Sequence, residues 1–390
     1  NTAVVYNAAG PTTSANNTAV GSNSLLNNIS GGYNTAVGHN ALEDNTAAAN
    51  NAFGYGALAN NTSGTYNVAV GNSALGSNTD THNNTAIGYA ALQTNDAANN
   101  TAVGYRALTT NAWGTGNTAL GADTLRLNST GQYNVAIGND ALGTNVDGSK
   151  NVAIGNSALV LQEPATATDM FNVAVGYSAG SALTTGVQNT FIGGLAGDAL
   201  SDSARTVAVG YNAGGGITTG DSNTAIGYQA LMTEDAHSNN TAVGASALET
   251  QNAGAHAFNV AVGFEAGKGL TTGIRNTAIG SYALDATVTA NDNVAVGYQA
   301  GSTVTSAAQN VFVGVNAGVN VASAASLVAV GYQAMGSATQ GDNSVAVGQN
   351  ALYTNTGAHN TGLGNNALYA NAAGAYNTAV GSLSGDGLTD

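Results

Sequence analysis

A glycine returns about every seventeen residues along nearly the whole chain, and that period excludes most folds before composition is considered. Counting from Gly21, Gly38 and Gly54 to Gly381, with Val5 in the slot of the first copy, the unit is written twenty-three times. Of the twenty-two spacings, sixteen are 17 residues, four are 16 and two are longer. A fixed period of this size marks a solenoid, in which each repeat packs only on its neighbours. The 390 residues are read as a single β-solenoid domain, 1–390, and as a segment of a longer fibrous protein. Coils stacked about 4.8 Å apart would make a rod of roughly 110 Å.

Positions within the unit are counted from its glycine. Asn stands at −4 in twenty copies, the exceptions being Thr206, Leu327 and Ser344. Position −3 is Thr in twelve copies and Val in ten, and −2 is Ala in twenty, replaced by Phe191, Phe312 and Gly362. Position −1 is apolar in every copy. Alternation with β-branched residues predicts a short strand closed by glycine, which takes a positive φ or a close backbone approach at a corner. Strand side chains alternate faces, so −3 and −1 share one face while −4 and −2 share the other. The all-apolar −1 position is expected to be the deeper one. The Ala row is expected to be an outer stripe, of which Ala136, Ala225 and Ala295 are examples, where copies of the chain associate. A column of Asn at the strand entrance suggests a ladder of amides bonded from coil to coil, since a turn role alone would admit Asp or Gly.

The second half of the unit carries a substitution rule. Position +4 is Leu or Met in fifteen copies, among them Leu92, Leu159 and Leu231. In seven copies it is Gly: Gly180, Gly197, Gly214, Gly267, Gly301, Gly318 and Gly385. Those seven carry an aliphatic residue three places on, at Leu183, Leu200, Ile217, Leu270, Val304, Val321 and Leu388. One core volume filled from either of two backbone positions explains the exchange, because an empty leucine-sized hole costs ~2–5 kcal/mol. Phe191 and Phe312 follow the same logic, whereas Ala208, in the same setting, does not.

Charged residues are only 7% of the chain, with six basic against twenty-one acidic and a net charge of −15. Such a balance opposes binding to nucleic acid or anionic lipid. No cysteine is present, which removes disulfides and thiolate metal sites. No apolar run approaches the ~18 residues of a membrane span. The histidines His39, His82, His237, His256 and His359 are scattered and read as surface-loop residues. The stretch Gly193-Gly194-Leu195-Ala196-Gly197 lacks the Lys-Ser/Thr of a phosphate loop. No catalytic, metal or cofactor residue is assigned.

Irregular loops on a regular scaffold are where binding tends to sit. Four extra residues between Gly155 and Gly176 accompany Glu163, Pro164, Met170 and Phe171, and two extra between Gly244 and Gly263 accompany His256 and Phe258. Glu163, Met170, Phe171, His256 and Phe258 are the candidate binding residues, with a neutral bulge as the alternative. Tyr follows the unit glycine in eight copies, from Tyr55 to Tyr332, and Tyr6 follows Val5 in the first copy, nine in all. These rings either cover a corner or stack on sugars and partner side chains.

The pattern Asn-Thr/Val-Ala-Val/Ile-Gly, followed by two residues and Ala-Leu, resembles the head repeats of trimeric autotransporter adhesins and similar repeats of phage tail fibres. The resemblance covers nearly the entire chain, although the seventeen-residue unit is longer than is usual in those heads. It implies a left-handed parallel β-roll, three chains side by side, and attachment to a host-surface protein or glycan. The expected protein is therefore an extracellular, homotrimeric fibre of a cell surface or virion, without enzymatic activity, cofactor or nucleic-acid partner. An ice-binding solenoid is the alternative of another class, disfavoured by the near-even mixture of Thr and Val. A solenoid enzyme acting on polysaccharide would need a carboxylate cluster that is not found.

Overall fold

The computed structural model describes residues 1–4, 7–10, 12–233, 236–254, 256–286, 289–337 and 340–386. Val5, Tyr6 and Leu388 of the sequence reading lie outside them. The chain divides into two units, Asn1–Gly194 and Leu195–Asp390. Each is a parallel β-solenoid. In the first, twelve three-residue strands run from Thr2–Val4 to Thr190–Ile192, and in the second eleven run from Val207–Val209 to Thr378–Val380. Neighbouring strands pair in parallel with no slip of register, as in Thr18↔Thr35, Ala19↔Ala36 and Val20↔Val37. The described residues contain no helix.

The unit glycines have φ near +137°, as at Gly88, where an L side chain is strained. They also stack against one another, so both parts of the corner reading hold. Other corners are turned by residues with side chains. Asn40 at +2, Leu42 at +4 and Tyr33 at −5 all have φ between 51° and 60°. Left-handed backbone at non-glycine residues costs about 1–2 kcal/mol each, and the inter-coil hydrogen bonds hold it in place. Leu25 N–H, for example, donates to Ala41 O at 3.1 Å and Thr18 N–H to Asn34 O at 2.9 Å.

The two strand faces lie opposite to expectation. Ala136, Ala225 and Ala295 are fully buried, as is the −2 position in nearly every coil. Positions −3 and −1 point outward, and Ile87, Leu120 and Ile279 are 40–46% exposed. The Ala row is therefore core, not an association stripe, and the −1 residues are not the deep ones. The physical reason is width. A coil already filled by Leu at +4 and a second Ala at +3 leaves room only for a methyl at −2.

The exchange of Leu for Gly holds in the structure. The +4 leucines are fully buried, and so are Leu183, Leu200, Ile217, Leu270, Val304 and Val321. A Cβ added to Gly267 would meet Leu270 Cδ1 at 2.8 Å, and one on Gly301 would meet Phe312 Cδ2 at 2.7 Å. The aliphatic residue and the phenylalanine thus occupy what the missing side chain vacates.

Both units contain the expected Asn ladder, but its rungs join side chain to backbone. Asn34 N–H donates to Asn17 Oδ1, Asn50 N–H to Asn34 Oδ1 and Asn67 N–H to Asn50 Oδ1, at 2.9–3.0 Å. Most of the Nδ2 groups then reach a carbonyl of the next loop, as Asn50 does to Gly64 O at 2.7 Å. Amide-to-amide bonds occur within this column at Asn151 to Asn134, 3.1 Å, and Asn293 to Asn276, 3.2 Å, and run more regularly through a second column at +7, which the sequence reading overlooked. Asn61 Nδ2 donates to Asn45 Oδ1 at 2.7 Å, Asn78 to Asn61 at 2.9 Å, Asn111 to Asn95 at 2.8 Å and Asn128 to Asn111 at 2.8 Å. All of these side chains are fully buried. Burying an amide is tolerated only when its hydrogen bonds are made, and stacking identical coils makes them automatically.

Candidate binding surface at the loop insertions

The insertion after Gly155 is anchored at several points. Its first ladder rung is Gln162, one methylene longer than Asn, which donates to Asn145 Oδ1 at 3.3 Å and accepts from Asn172 Nδ2 at 3.0 Å. Glu163 accepts the Val146 N–H at 2.5 Å. Burial pushes the Glu163 carboxyl above its ordinary range, the Val146 hydrogen bond opposes that, and nearby Asp147 adds to it. Thr168–Asp169 pairs in parallel with Gly148–Ser149. The loop is thus stitched to the preceding coil and is not a free bulge.

Of the predicted residues, Met170 is fully buried and packs where Gly148 leaves space, a Cβ there being 3.3 Å from Met170 Cγ. It is a core residue and cannot touch a partner. Phe171 is half exposed, with Lys150 Nζ 5.1 Å from its ring centre. In the second insertion, His256 and Phe258 stand edge to face at 6.1 Å, both exposed. Gln251 takes the ladder rung there, accepting from Asn259 Nδ2 at 2.9 Å. The first insertion lies in one unit and the second in the other, so Glu163 and Phe171 form one candidate surface and the His256–Phe258 pair another. His237, expected at the surface, is 4% exposed and occupies a loop position that is Gly or Ala in many other coils.

Sequence reasoning missed the depression beside the first insertion. Its volume is about 710 Å³, and Gln132, Tyr133, Ser149, Lys150, Thr168 and Asp169 contribute to its walls. Lys150 Nζ and Asp169 Oδ2 pair at 2.6 Å. The residues after the unit glycines make a second, smaller feature. Tyr89 and Tyr105 stack at 5.4 Å, Tyr211 and Tyr228 at 5.9 Å, and Arg106 lies 5.7 Å from the Tyr105 ring centre. These tyrosines are about half exposed and stack on each other.

Among the described residues no group of three or more His, Asp or Glu is placed to hold a metal ion, and no helix is long and apolar enough to cross a membrane. Neither a family model nor a characterised protein matches the sequence.

Proposed function

We propose that the chain is an adhesive, non-catalytic fibre segment of a bacterial surface or virion, a left-handed roll that acts outside the cell and works as a homotrimer. The observation that carries this reading is the separation of roles within each coil. Core, ladders and glycine corners repeat almost unchanged, while irregularity and exposed aromatic side chains gather in loops. A scaffold of that kind offers the same chemistry at every level except where insertions stand. The outward −3/−1 face, a regular row of Thr, Val and Ile, supplies the surface on which three copies pack, in place of the buried Ala row.

The test uses Ala165, Thr166 and Ala167, all exposed at the tip of the first insertion. Replacing all three with Glu leaves Gln162 and Met170 untouched. The expected result is an unchanged circular dichroism melt and weaker attachment of the cell or particle that bears the fibre. Undiminished attachment by this variant and by one altered at His256 and Phe258 overturns the reading.

One observation favours an ice-binding role as a second reading. Thr85, Thr101 and Thr118 face outward in adjacent, in-register coils. Val135, Val152 and Val173 interrupt that row in the next three coils. Thermal hysteresis at micromolar concentration would establish the ice-binding reading in place of the first.

A further inference from the structure

Four consecutive coils place Gly116, Tyr133, Lys150 and Phe171 at the same position, −5, beside the first insertion. Gly116 is the one glycine at that position in the chain. A Cβ there would stand 2.8 Å from Tyr133 Cδ1 and 3.0 Å from Cε1, so the absent side chain lets the Tyr133 ring lie down against the backbone of the coil before it. The ring is nonetheless 59% exposed. Next along the column, Lys150 is held from two sides, by the Asp169 carboxylate and by the Phe171 ring.

We propose that the depression between Tyr133 and the Lys150–Asp169 pair binds a neutral pyranose sugar. The volume of about 710 Å³ lies within the range of small-ligand sites. A supported aromatic ring offers a flat apolar surface to the C–H face of a sugar. Beside it, Asp169 supplies acceptors and Lys150 donors, fixed together, which suits a pair of adjacent hydroxyls that each donate and accept. Gln132 and Ser149 add polar groups to the wall.

Charge selects against acidic ligands. Lys150 is the one cation among the lining residues, Asp169 pairs with it, and the Asp147 carboxylate accepts a hydrogen bond from Thr130 on the wall. A sialic acid or phosphate would have to displace Asp169 and face the nearby Asp147 carboxylate. A free cation is disfavoured because Lys150 already occupies the Asp169 carboxylate.

The inference rests on the adhesive reading for its biological sense, but soluble sugar binding is measured apart from attachment. Saturation-transfer NMR on the intact chain, with glucose, galactose, mannose, N-acetylglucosamine and sialic acid as probes, is the experiment. At least one neutral sugar should receive saturation at its ring C–H protons, and sialic acid should not. Tyr133→Ala and Asp169→Asn should each weaken that binding at least about tenfold. Tyr133→Phe should retain it, and Phe258→Ala in the other insertion should leave it unchanged. No response from any neutral sugar, a stronger response from sialic acid, or a response indifferent to Tyr133→Ala overturns the site. Sugar binding with attachment unaffected by loop substitution would sink the adhesive reading and leave the site standing. Loss of attachment without sugar binding would do the reverse.

Discussion

Gly180 and Phe191 share one volume: a Cβ on Gly180 would stand 2.6 Å from Phe191 Cδ2, with Leu159 Cδ2 only 2.9 Å away. The Phe lies one coil beyond the Gly, so the core is filled across coils as well as within them. This pairing explains why a phenylalanine interrupts the Ala row at that level and why leucine is absent from position 180.

The pair predicts non-additive stability. Gly180→Ala should be clearly destabilising while Phe191 is present, and much less so once Phe191→Ala has opened the space. The coupling expected from a double-mutant cycle is ~1–3 kcal/mol. Denaturant melts in which the two changes add to within about 0.5 kcal/mol would remove the shared-volume account.

The Asn ladder predicts intolerance of aspartate. Asn100 is fully buried, donates through Nδ2 to Gly114 O at 2.9 Å and accepts from Asn117 N–H at 2.9 Å. Asn100→Asp keeps the acceptor, loses the donor, and places a charge against a carbonyl. A cost of ~3–5 kcal/mol is expected. Asn100→Ser follows the natural substitution at Ser344, whose Oγ accepts from Asn360 N–H, and should cost ~1–3 kcal/mol. Urea unfolding that ranks the two the other way would contradict the ladder.

The period made the architecture legible, because identical units can satisfy their backbones only by stacking in register. Alternation also showed which residues share a face. It did not show which face is inside. Larger residues at −1 suggested the wrong side, since hydrophobicity alone ignores how little space remains beside Leu42 and Ala41 in so narrow a coil. The second ladder left a signal that was passed over. Where +4 is Leu, +7 is Asn at Asn45, Asn61, Asn78 and Asn95, and Gln at Gln162 and Gln251, whereas Gly at +4 is followed by an aliphatic +7. Between coils of these two kinds the Leu-for-Gly exchange is also an exchange of an amide rung for an apolar plug, whereas Leu231, Leu284 and Met335 are followed at +7 by Glu234, Thr287 and Ala338. In the coil of Leu231 the +7 position is Glu234, not an amide, and it lies outside the described residues. The depression beside Tyr133 was illegible because it depends on Gly116, Lys150 and Asp169 coming from three different coils.

Acidification should raise stability before it lowers it. Burial is the leading cause that raises the Glu163, Asp198 and Asp285 carboxyls above their ordinary values. A raised carboxyl binds its proton more tightly in the folded chain, so folding gains as pH falls through the folded value. The gain is complete below the unfolded value, near pH 4. Asp292, lowered by its hydrogen bond to Arg275, acts in the opposite sense, and its contribution is lost as pH falls through its own folded value. The melting temperature should therefore rise modestly between pH 7 and about pH 5, and Glu163→Gln should flatten part of that rise. A melting temperature that falls throughout this interval would contradict the assignment.

The outward strand face predicts how assembly responds to charge. Ile226, Val243 and Val262 project from three adjacent coils on that face. Exchanging all three for Glu should change the stability of a single chain little, roughly 0.5 kcal/mol each. In a trimer packed on this face it would bury like charges and separate the copies. Light scattering should report a trimeric mass for the unmodified chain and a monomeric mass for the variant. An unmodified chain that is monomeric, or a variant that stays trimeric, rules out this interface.

The sharpest contrast lies between two glycines two coils apart. Gly88 belongs to the column that closes the repeat strands from the second copy onward; its φ is +137°, and an added Cβ would stand 2.2 Å from Gly104 O and 2.7 Å from Gly104 C. Those atoms are backbone, and Gly104 is in turn stacked on Gly121, so nothing nearby can yield without moving a further coil. Gly56 also has a positive φ, +61°, but a Cβ there would meet nothing within 4 Å. At its position other coils hold Asn40, Ser73 and Ala90 with φ of 55–57°. Gly56→Ala should therefore cost no more than about 1–2 kcal/mol. Gly88→Ala combines forbidden backbone with an unrelieved clash and should exceed about 4 kcal/mol, a range reached only by a few identifiable mechanisms. Hydrogen exchange after each substitution should show protection lost in the coils around Gly88 and retained around Gly56. Equal losses would mean that the glycine column is set by the turn alone and not by the approach of one coil to the next.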